Sequence, residues 1–376
     1  MQIVLVTHFY PSHCGGVEIV AGQLAARMAA AGCTVVWCAS DTDDAPELNG
    51  VRRVPMRTFN GIERWSGMPY PLWSPASLAQ LNRLVKACDA VHVHDCIYAS
   101  SLAAAWLARR HGKRYVVTQH IGQRPLSPLL RPVLGAANRL GARSVLRHAA
   151  GVAFISPVVR TYFESLLGPA PTFHHVPNGV DTTLFCPSPD EPASQRAALG
   201  FDPLRPLILF VGRFVAVKRL SIVRAMAALR PDWQWCLIGQ GPEDPAGWGL
   251  PNVCVLGPMP QAGLVSYYRA ADLLILPSRS EGFPLVVQEA MACGLPACMP
   301  AKIAAGSTAP HDLWLELPDR LGHEAQLGIA AIDLSLARPK AELMAQRRDC
   351  AAFAARAWSW DTAAAAHLHW LRRGRA

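Results

Sequence analysis

Short, β-branched and almost wholly apolar runs alternate along the chain with stretches whose apolar residues recur at helical spacing. That alternation predicts parallel sheets with crossover helices, and argues against a sandwich or a helical bundle. Ile3 to Val6 predicts a buried strand; Val17, Val20, Leu24 and Met28 repeat at helical spacing up to Gly32, and Val35 to Cys38 begins the next strand. Ala90 to His94, Tyr115 to Gln119 and Gly151 to Ile155 continue the series, each ending at a polar loop. A second series follows in Leu207 to Val211, Trp235 to Ile238, Val253 to Leu256 and Leu273 to Leu276, each succeeded by Gly or Pro. Between the two lies Cys186-Pro-Ser-Pro-Asp-Glu-Pro-Ala-Ser194, a linker by composition. The expected fold class is therefore α/β, with two doubly wound domains over residues 1–186 and 187–357. In such sheets ligands bind beyond the carboxyl ends of the strands, so chemistry is expected in the loops after strands and in a cleft between the domains.

Composition narrows the classes. A chain of 376 residues with 51% hydrophobic and 17% charged residues has enough apolar surface to build large cores, which excludes disorder. No stretch approaches the roughly 18 uninterrupted apolar residues that span a bilayer. Met1-Gln-Ile-Val-Leu-Val6 has no basic residue ahead of its apolar run. The expectation is neither a transmembrane helix nor a signal peptide, hence a cytoplasmic protein. The 11 cysteines are scattered singly and never as Cys-x-x-Cys, which favours reduced thiols over a disulfide framework or a zinc ribbon.

The formal charge of +9 is unevenly distributed. Between Asp95 and Glu164 there is no acidic residue, while Arg109, Arg110, Lys113, Arg114, Arg124, Arg131, Arg139, Arg143, Arg147 and Arg160 all fall there. Such a window favours an anionic partner if the charges share a face. Arg139, Arg143 and Arg147 recur every four residues, and a helix opening at Pro132 would carry Val133, Ala136, Ala137 and Leu140 on its other side. This pattern suits docking on an anionic membrane surface, and suits equally the solvated face of a basic protein. Regularly interleaved aromatics and recognised nucleic-acid modules are missing from the window, so nucleic acid is not an expected partner.

Three places could carry chemistry. After the first strand, Gly15-Gly16 opens a helix, where backbone N–H groups can approach a phosphate or sugar; a plain turn explains the pair equally well. It is not the Gly-x-Gly-x-x-Gly dinucleotide fingerprint. The strand ending at Val211 runs into Gly212-Arg213, with Lys218 expected at the start of the next helix. Two cations at a strand's carboxyl edge suit a diphosphate, against the alternative of a solvated loop. Finally, Ser280-Glu-Gly-Phe-Pro-Leu-Val-Val-Gln-Glu289 follows a strand, with Pro284 expected as the first helical residue. The N–H groups of Leu285 and Val286 would then be free for phosphate oxygens, while Glu281 and Glu289 could meet different hydroxyl groups of one extended ligand.

Taken together, Gly15-Gly16, Thr118-Gln119-His120, Pro177-Asn-Gly-Val-Asp181, Gly212-Arg213 with Lys218, Gly239-Gln-Gly-Pro242 and the pair Glu281 and Glu289 resemble the family 4 retaining glycosyltransferases. That family has the GT-B fold of two facing Rossmann-like domains, and the resemblance covers positions 1 to about 298. It implies that Arg213 and Lys218 neutralise the diphosphate of a nucleotide sugar. Glu289 would accept the ribose hydroxyls, Glu281 with Gly282 and Phe283 would hold the donor hexose, and His120 would approach the sugar. The end of the chain, Trp360 to Trp370, resembles the family's last helix, so residues 358–376 are expected to pack back on the first domain. Ala301 to Leu317 departs from the family's glycine pair and acidic residue near the nucleotide.

The implied reaction is retaining transfer of a hexose from a UDP- or GDP-sugar to a hydroxyl acceptor, such as a lipid-linked saccharide in polysaccharide or glycolipid assembly. The departing diphosphate would be stabilised by Arg213, Lys218 and the helix N-terminus, so no cofactor and no catalytic metal are expected. A front-face path, with the leaving phosphate taking the acceptor proton, follows from the lack of an evident carboxylate nucleophile. A catalytically silent GT-B scaffold, a lipid-surface binding protein and a hydrolysing nucleotide-sugar epimerase are the alternatives.

Overall fold

In the first half of the chain the apolar runs form the interior of a parallel sheet, with β1 (Gln2–Val6) wholly flanked by neighbours and its residues from Ile3 onward buried. The structure is a computed structural model that describes residues 1–13, 16–44, 47–61, 70–122 and 131–372, with the backbone alone at residues 13 and 131–138. It divides into two units, Met1–Asn178 with Trp360–Ala376, and Gly179–Ser359. The unit boundary thus falls ahead of the proline-rich stretch, whose end at Pro192 already opens a helix of the second unit.

Strands of the first unit are β1, β2 (Thr34–Ser40), β3 (Val51–Met56), the short ribbon β4 (Thr58–Phe59) with β5 (Leu72–Trp73), β6 (Ala90–His94), β7 (Arg114–Gln119), β8 (Gly151–Phe154) and β9 (Phe173–His175). Among the described residues the main sheet runs in the order β3-β2-β1-β6-β7-β8-β9. Its helices are α1 (Gly16–Ala30), α2 (Pro75–Ala87), α3 (Ala99–Arg110), α4 (Arg131–Leu146) and α5 (Pro157–Leu167). Ser74 and Ser156 cap α2 and α5 by accepting from the N–H groups of Ser77 and Val159, each followed by a proline whose missing N–H costs nothing there. The strands alternate: Val91 and Val93 of β6 join the core beneath α3 and α4, which turns His92 and His94 to the opposite face.

The second unit repeats the plan with α6 (Pro192–Ala198), β10 (Leu207–Val211), α7 (Leu220–Leu229), β11 (Gln234–Ile238), β12 (Val253–Leu256), α8 (Gln261–Ala270), β13 (Leu273–Ile275), α9 (Leu285–Ala292), β14 (Ala297–Met299), α10 (Ala301–Ser307), β15 (Trp314–Glu316), α11 (Glu324–Leu336) and α12 (Lys340–Ala357). Its parallel sheet has the order β12-β11-β10-β13-β14-β15. The last helix, α13 (Trp360–Arg372), belongs to the first unit, where it packs on α1 and β7. Arg114 donates from Nε and Nη2 to the Trp370 carbonyl at 3.1 and 2.8 Å, and the Arg27 guanidinium lies 5.9 Å from the Trp360 ring centroid.

In both sheets the chain reverses its direction of travel beside the first-formed strand, between β1 and β6 and between β10 and β13. At such a switch point the two flanking crossovers diverge and leave a crevice at the carboxyl ends of the strands. Both candidate constellations end there.

Candidate functional site

The second unit's crevice is shaped by two loops that touch backbone to backbone. Gly212 N–H donates to the Ile238 carbonyl at 3.0 Å and Phe214 N–H to the Gln240 carbonyl at 2.8 Å. A Cβ on Gly239, whose φ is +154°, would lie 1.9 Å from the Gly212 oxygen, and one on Gly241 would lie 2.2 Å from the Phe214 oxygen. Only glycine fits this close approach. It fixes the loop carrying Arg213, whose side chain is exposed.

Lys218 ends a short 3-10 turn, Ala216–Lys218, and does not start the helix as expected. Arg219 intervenes in the left-handed conformation, held by ion pairs to Asp319 at 2.9 Å and Glu324 at 2.5 Å, and α7 begins only at Leu220. Across the switch point Lys218 Nζ meets Glu281 Oε1 at 2.5 Å, both side chains 16% exposed. The two loops are also tied through Arg279 N–H, which donates to the Val217 carbonyl at 2.9 Å.

Pro284 is extended, with φ −73° and ψ 116°, and so caps α9 instead of forming its first turn. Its carbonyl accepts from Val287 N–H at 3.1 Å. The N–H groups of Leu285 and Val286 stand ahead of any intrahelical acceptor, as expected from the sequence. Gly282 is half-buried, and Phe283 is buried with its ring centroid 5.5 Å from that of Trp358. Glu289, one turn into α9, is 6% exposed. Gln261 Nε2 donates to its Oε1 at 2.7 Å and the Tyr268 hydroxyl to its Oε2 at 2.9 Å. Burial raises its pKa above the usual carboxylate range, and the two hydrogen bonds oppose that rise. A carboxylate has about four lone-pair directions, so two remain for further donors. Ser278, buried just beyond β13, leaves its Oγ without a hydrogen-bond partner.

In the first unit Gly15 lies outside the described residues, and Gly16 is the first residue of α1. His120, 4% exposed, follows β7 and is held twice. Its backbone N–H donates to Asp95 Oδ1 at 2.8 Å, and its Nε2 lies 2.9 Å from His94 Nδ1. Asp95 Oδ1 also accepts from Gln119 Nε2 at 2.8 Å and Ile121 N–H at 3.2 Å, with Asp95 itself at φ +56°. His8, stacked on Tyr98 with centroids 3.9 Å apart, places Nε2 3.0 Å from Glu18 Oε1 of α1. Burial lowers the pKa of His120; the Asp95 and Glu18 carboxylates pull it up and His8 pushes it further down.

The structure thus brings Lys218 to Glu281 within the second unit and sets Glu289 in the same unit, with His120 in the first. The sequence reading missed His94, Asp95, Gln261 and Tyr268. His92-x-His94 in a predicted strand did carry a signal, since such spacing puts both side chains on one face. Gln261 and Tyr268, seven residues apart on a helix, share a face in the same way. Asp95 left no trace in the pattern.

Expectations for the basic helix are corrected in one respect. Among the described side chains of α4, Ala142, Val145 and Leu146 are buried, while Leu140 is 69% exposed beside the exposed Arg139 and Arg143. Arg147 is turned to the Leu167 carbonyl. Val133, Ala136 and Ala137 have side chains outside the described residues.

Comparison with known proteins places these features. The profile of Glycosyltransferase Family 4 matches residues 14–184, that of Glycosyl transferases group 1 matches residues 205–304, and that of Family 4 Glycosyltransferase in conflict systems matches residues 259–367. The D-inositol 3-phosphate glycosyltransferase of Frankia alni is 30% identical over 326 residues, covering 75% of this chain and 76% of that one. The GDP-mannose-dependent alpha-(1-6)-phosphatidylinositol monomannoside mannosyltransferase of Mycolicibacterium smegmatis is 28% identical over 314 residues, covering 78% and 79%. Among solved structures, sucrose-phosphate synthase from Thermosynechococcus elongatus superposes with a TM-score of 0.77 at 21% identity, over 99% of this chain and 98% of that one.

Proposed function

The chain belongs to glycosyltransferase family 4 and has the GT-B fold, and from that premise we propose that it moves a hexose from a nucleotide diphosphate sugar to a hydroxyl acceptor with retention of configuration. The observation that carries this reading is the Lys218–Glu281 pair across the second unit's switch point, in one unit with Glu289. In this reading the diphosphate binds Arg213, Lys218 and the N–H groups of Leu285 and Val286. The ribose hydroxyls donate to the lone pairs of Glu289 that Gln261 and Tyr268 leave over. Glu281, with the backbone of Gly282 and Phe283, holds hexose hydroxyls, and His120 of the first unit addresses the transferred sugar.

Charge develops on the departing diphosphate as the glycosidic bond breaks, and fixed cations stabilise it without reorganisation. Lys218 is already oriented by Glu281, so it needs no search for its position when the ligand arrives. The departing phosphate oxygen takes the acceptor's proton on the same face that the new bond forms. Because protein cations and helix N–H groups supply the electrostatics, turnover is expected to persist in the presence of a chelator. The direct test is turnover of GDP-mannose and of UDP-hexoses by the wild type and by Arg213→Ala and Lys218→Ala.

A lipid-linked acceptor at an anionic membrane surface is the finer reading of the acceptor side. The mannosyltransferase relative is named for a phosphatidylinositol mannoside substrate, and the first unit exposes both charge and apolar side chains. Arg139, Leu140 and Arg143 are exposed on α4, which packs against α3, and on α3 Arg109 and Arg110 are exposed, with the Arg110 guanidinium 5.4 Å from the centroid of the 56%-exposed Trp106. Among the described residues no helix is long and apolar enough to cross a membrane. Co-sedimentation with phosphatidylglycerol vesicles at low salt, lost at high salt and with neutral vesicles, is the expected outcome. Binding that ignores lipid charge and salt contradicts it.

A further inference from the structure

Beneath α13 lies a row of buried imidazoles, His92, His94, His120 and His367, whose hydrogen bonds determine one another. His367 Nδ1 is 2.7 Å from the Ala363 carbonyl oxygen. A carbonyl only accepts, so Nδ1 carries the proton. Burial lowers the His367 pKa to about 4, so the ring is neutral at neutral pH and its Nε2 is bare. That bare nitrogen, 2.8 Å from Thr118 Oγ1, takes the threonine's one hydrogen. The Thr118 oxygen must then receive its other contact, His92 Nε2 at 2.8 Å, as a donor. His92 is thereby the Nε2–H tautomer with a bare Nδ1, which is buried and has no partner.

His94 presents the same question at the other end of the row. Its Nε2 is buried without a partner, and its Nδ1 faces His120 Nε2 at 2.9 Å. The His92 and His94 ring centroids are 4.5 Å apart with no hydrogen bond between them, although His92 Nδ1 is a free acceptor. Were the His94 proton on Nε2, a buried N–H would go unsatisfied, the rarer defect in native structures. With the proton on Nδ1 it is used on His120, and only lone pairs remain bare. Burial keeps His94 neutral well below the ordinary histidine range.

We propose that His94 is a positioning residue: by donating Nδ1–H to His120 Nε2, it holds His120 as the Nδ1–H tautomer, so that His120 meets the transferred sugar as a hydrogen-bond donor and not as a base. The proposal rests on the reading that His120 addresses the donor hexose. Asp95 supports it from the other side, since its Oδ1 pins the His120 and Ile121 N–H groups while its own backbone is held in a left-handed conformation. The charged and titratable groups acting on His120 are Asp95, Glu18, His8 and His94. His92, His120, His367 and His8 act in turn on His94.

The test is the histidine tautomer pattern of the full-length protein, 15N-labelled, in two-bond 1H–15N correlation spectra at neutral pH, with His120 assigned by its loss in His120→Gln. The expected result is a protonated Nδ1 and a bare Nε2 on His120. In His94→Phe this tautomer is lost and kcat falls roughly 10- to 100-fold, as for loss of an oriented donor, with the donor KM little changed. His94→Asn, whose amide N–H stands close to the position of Nδ1–H, restores both. A His120 protonated on Nε2 in the wild type overturns the proposal, as does an unchanged tautomer with unchanged kcat in His94→Phe. If the wild type turns over no nucleotide hexose, the transferase reading fails by itself, and the spectrum still decides the tautomer.

Discussion

Lys218 and Glu281 form an ion pair that is largely withdrawn from water, and Arg213 stands exposed on the neighbouring loop. In the absence of ligand Glu281 compensates the lysine charge, so the phosphate groups add to an arrangement already in place. Removing either cation takes one charge from the departing diphosphate while leaving the sheets intact, since neither side chain belongs to a core. Turnover of a nucleotide hexose by Arg213→Ala and by Lys218→Ala is therefore expected to fall by roughly 100- to 1,000-fold; Arg213→Ala keeps a thermal stability close to that of the wild type, whereas Lys218→Ala leaves Glu281 uncompensated and melts lower while keeping the fold. Near-normal turnover in either variant would remove that residue from the reaction. Arg219 is a contrasting case: next to Lys218 in the chain, it is committed to Asp319 and Glu324 and serves the loop's shape.

At the level of elements, the histidine row couples β6 and β7 to α13. Burial lowers the pKa values of His92, His94, His120 and His367, so at mildly acid pH the unfolded chain binds more protons than the folded one. Stability then falls as the pH drops below the ordinary histidine pKa of about 6.5. For His367, lowered to about 4, the loss builds up between pH 6.5 and pH 4 to roughly 3 kcal/mol, of which about 2 kcal/mol has gone by pH 5. The melting temperature of the first unit should drop between pH 7 and pH 5, and His367→Phe should flatten that dependence while lowering the value at pH 7. An unchanged slope in the variant would show that the row does not titrate in the folded state as described. β1, β6, β7 and β8 of this unit are legible as short apolar runs, whereas its β9, like β15 of the second unit, is a three-residue edge strand with no alternation to read. The helix starts expected at Lys218 and Pro284 differ because the deciding features are backbone conformations: a left-handed Arg219, held by the distant Asp319 and Glu324, and an extended proline.

On the scale of the whole molecule, two sheets with the same reversal of strand order each place their polar loops at a switch point. Sequence patterning reached the fold class and the polar residues of those loops, because strands ending in Gly212, Gly239 and Pro277 announce themselves. It did not reach the residues that hold the site in shape. Gln261, Tyr268, His94 and Asp95 act through contacts between elements, which periodicity within one element does not encode. Membership of family 4 makes the chain a glycosyltransferase; the donor is the claim on which the remaining chemistry depends. Titration calorimetry of the purified protein with GDP-mannose and with UDP-hexoses, chelator present, tests it most directly. Binding of one nucleotide sugar by the wild type, weakened at least roughly 10-fold in Glu289→Ala through loss of charge-assisted hydrogen bonds, is the predicted result. Binding that is equally tight in Glu289→Ala, or no binding of any nucleotide sugar by the wild type, would contradict the account.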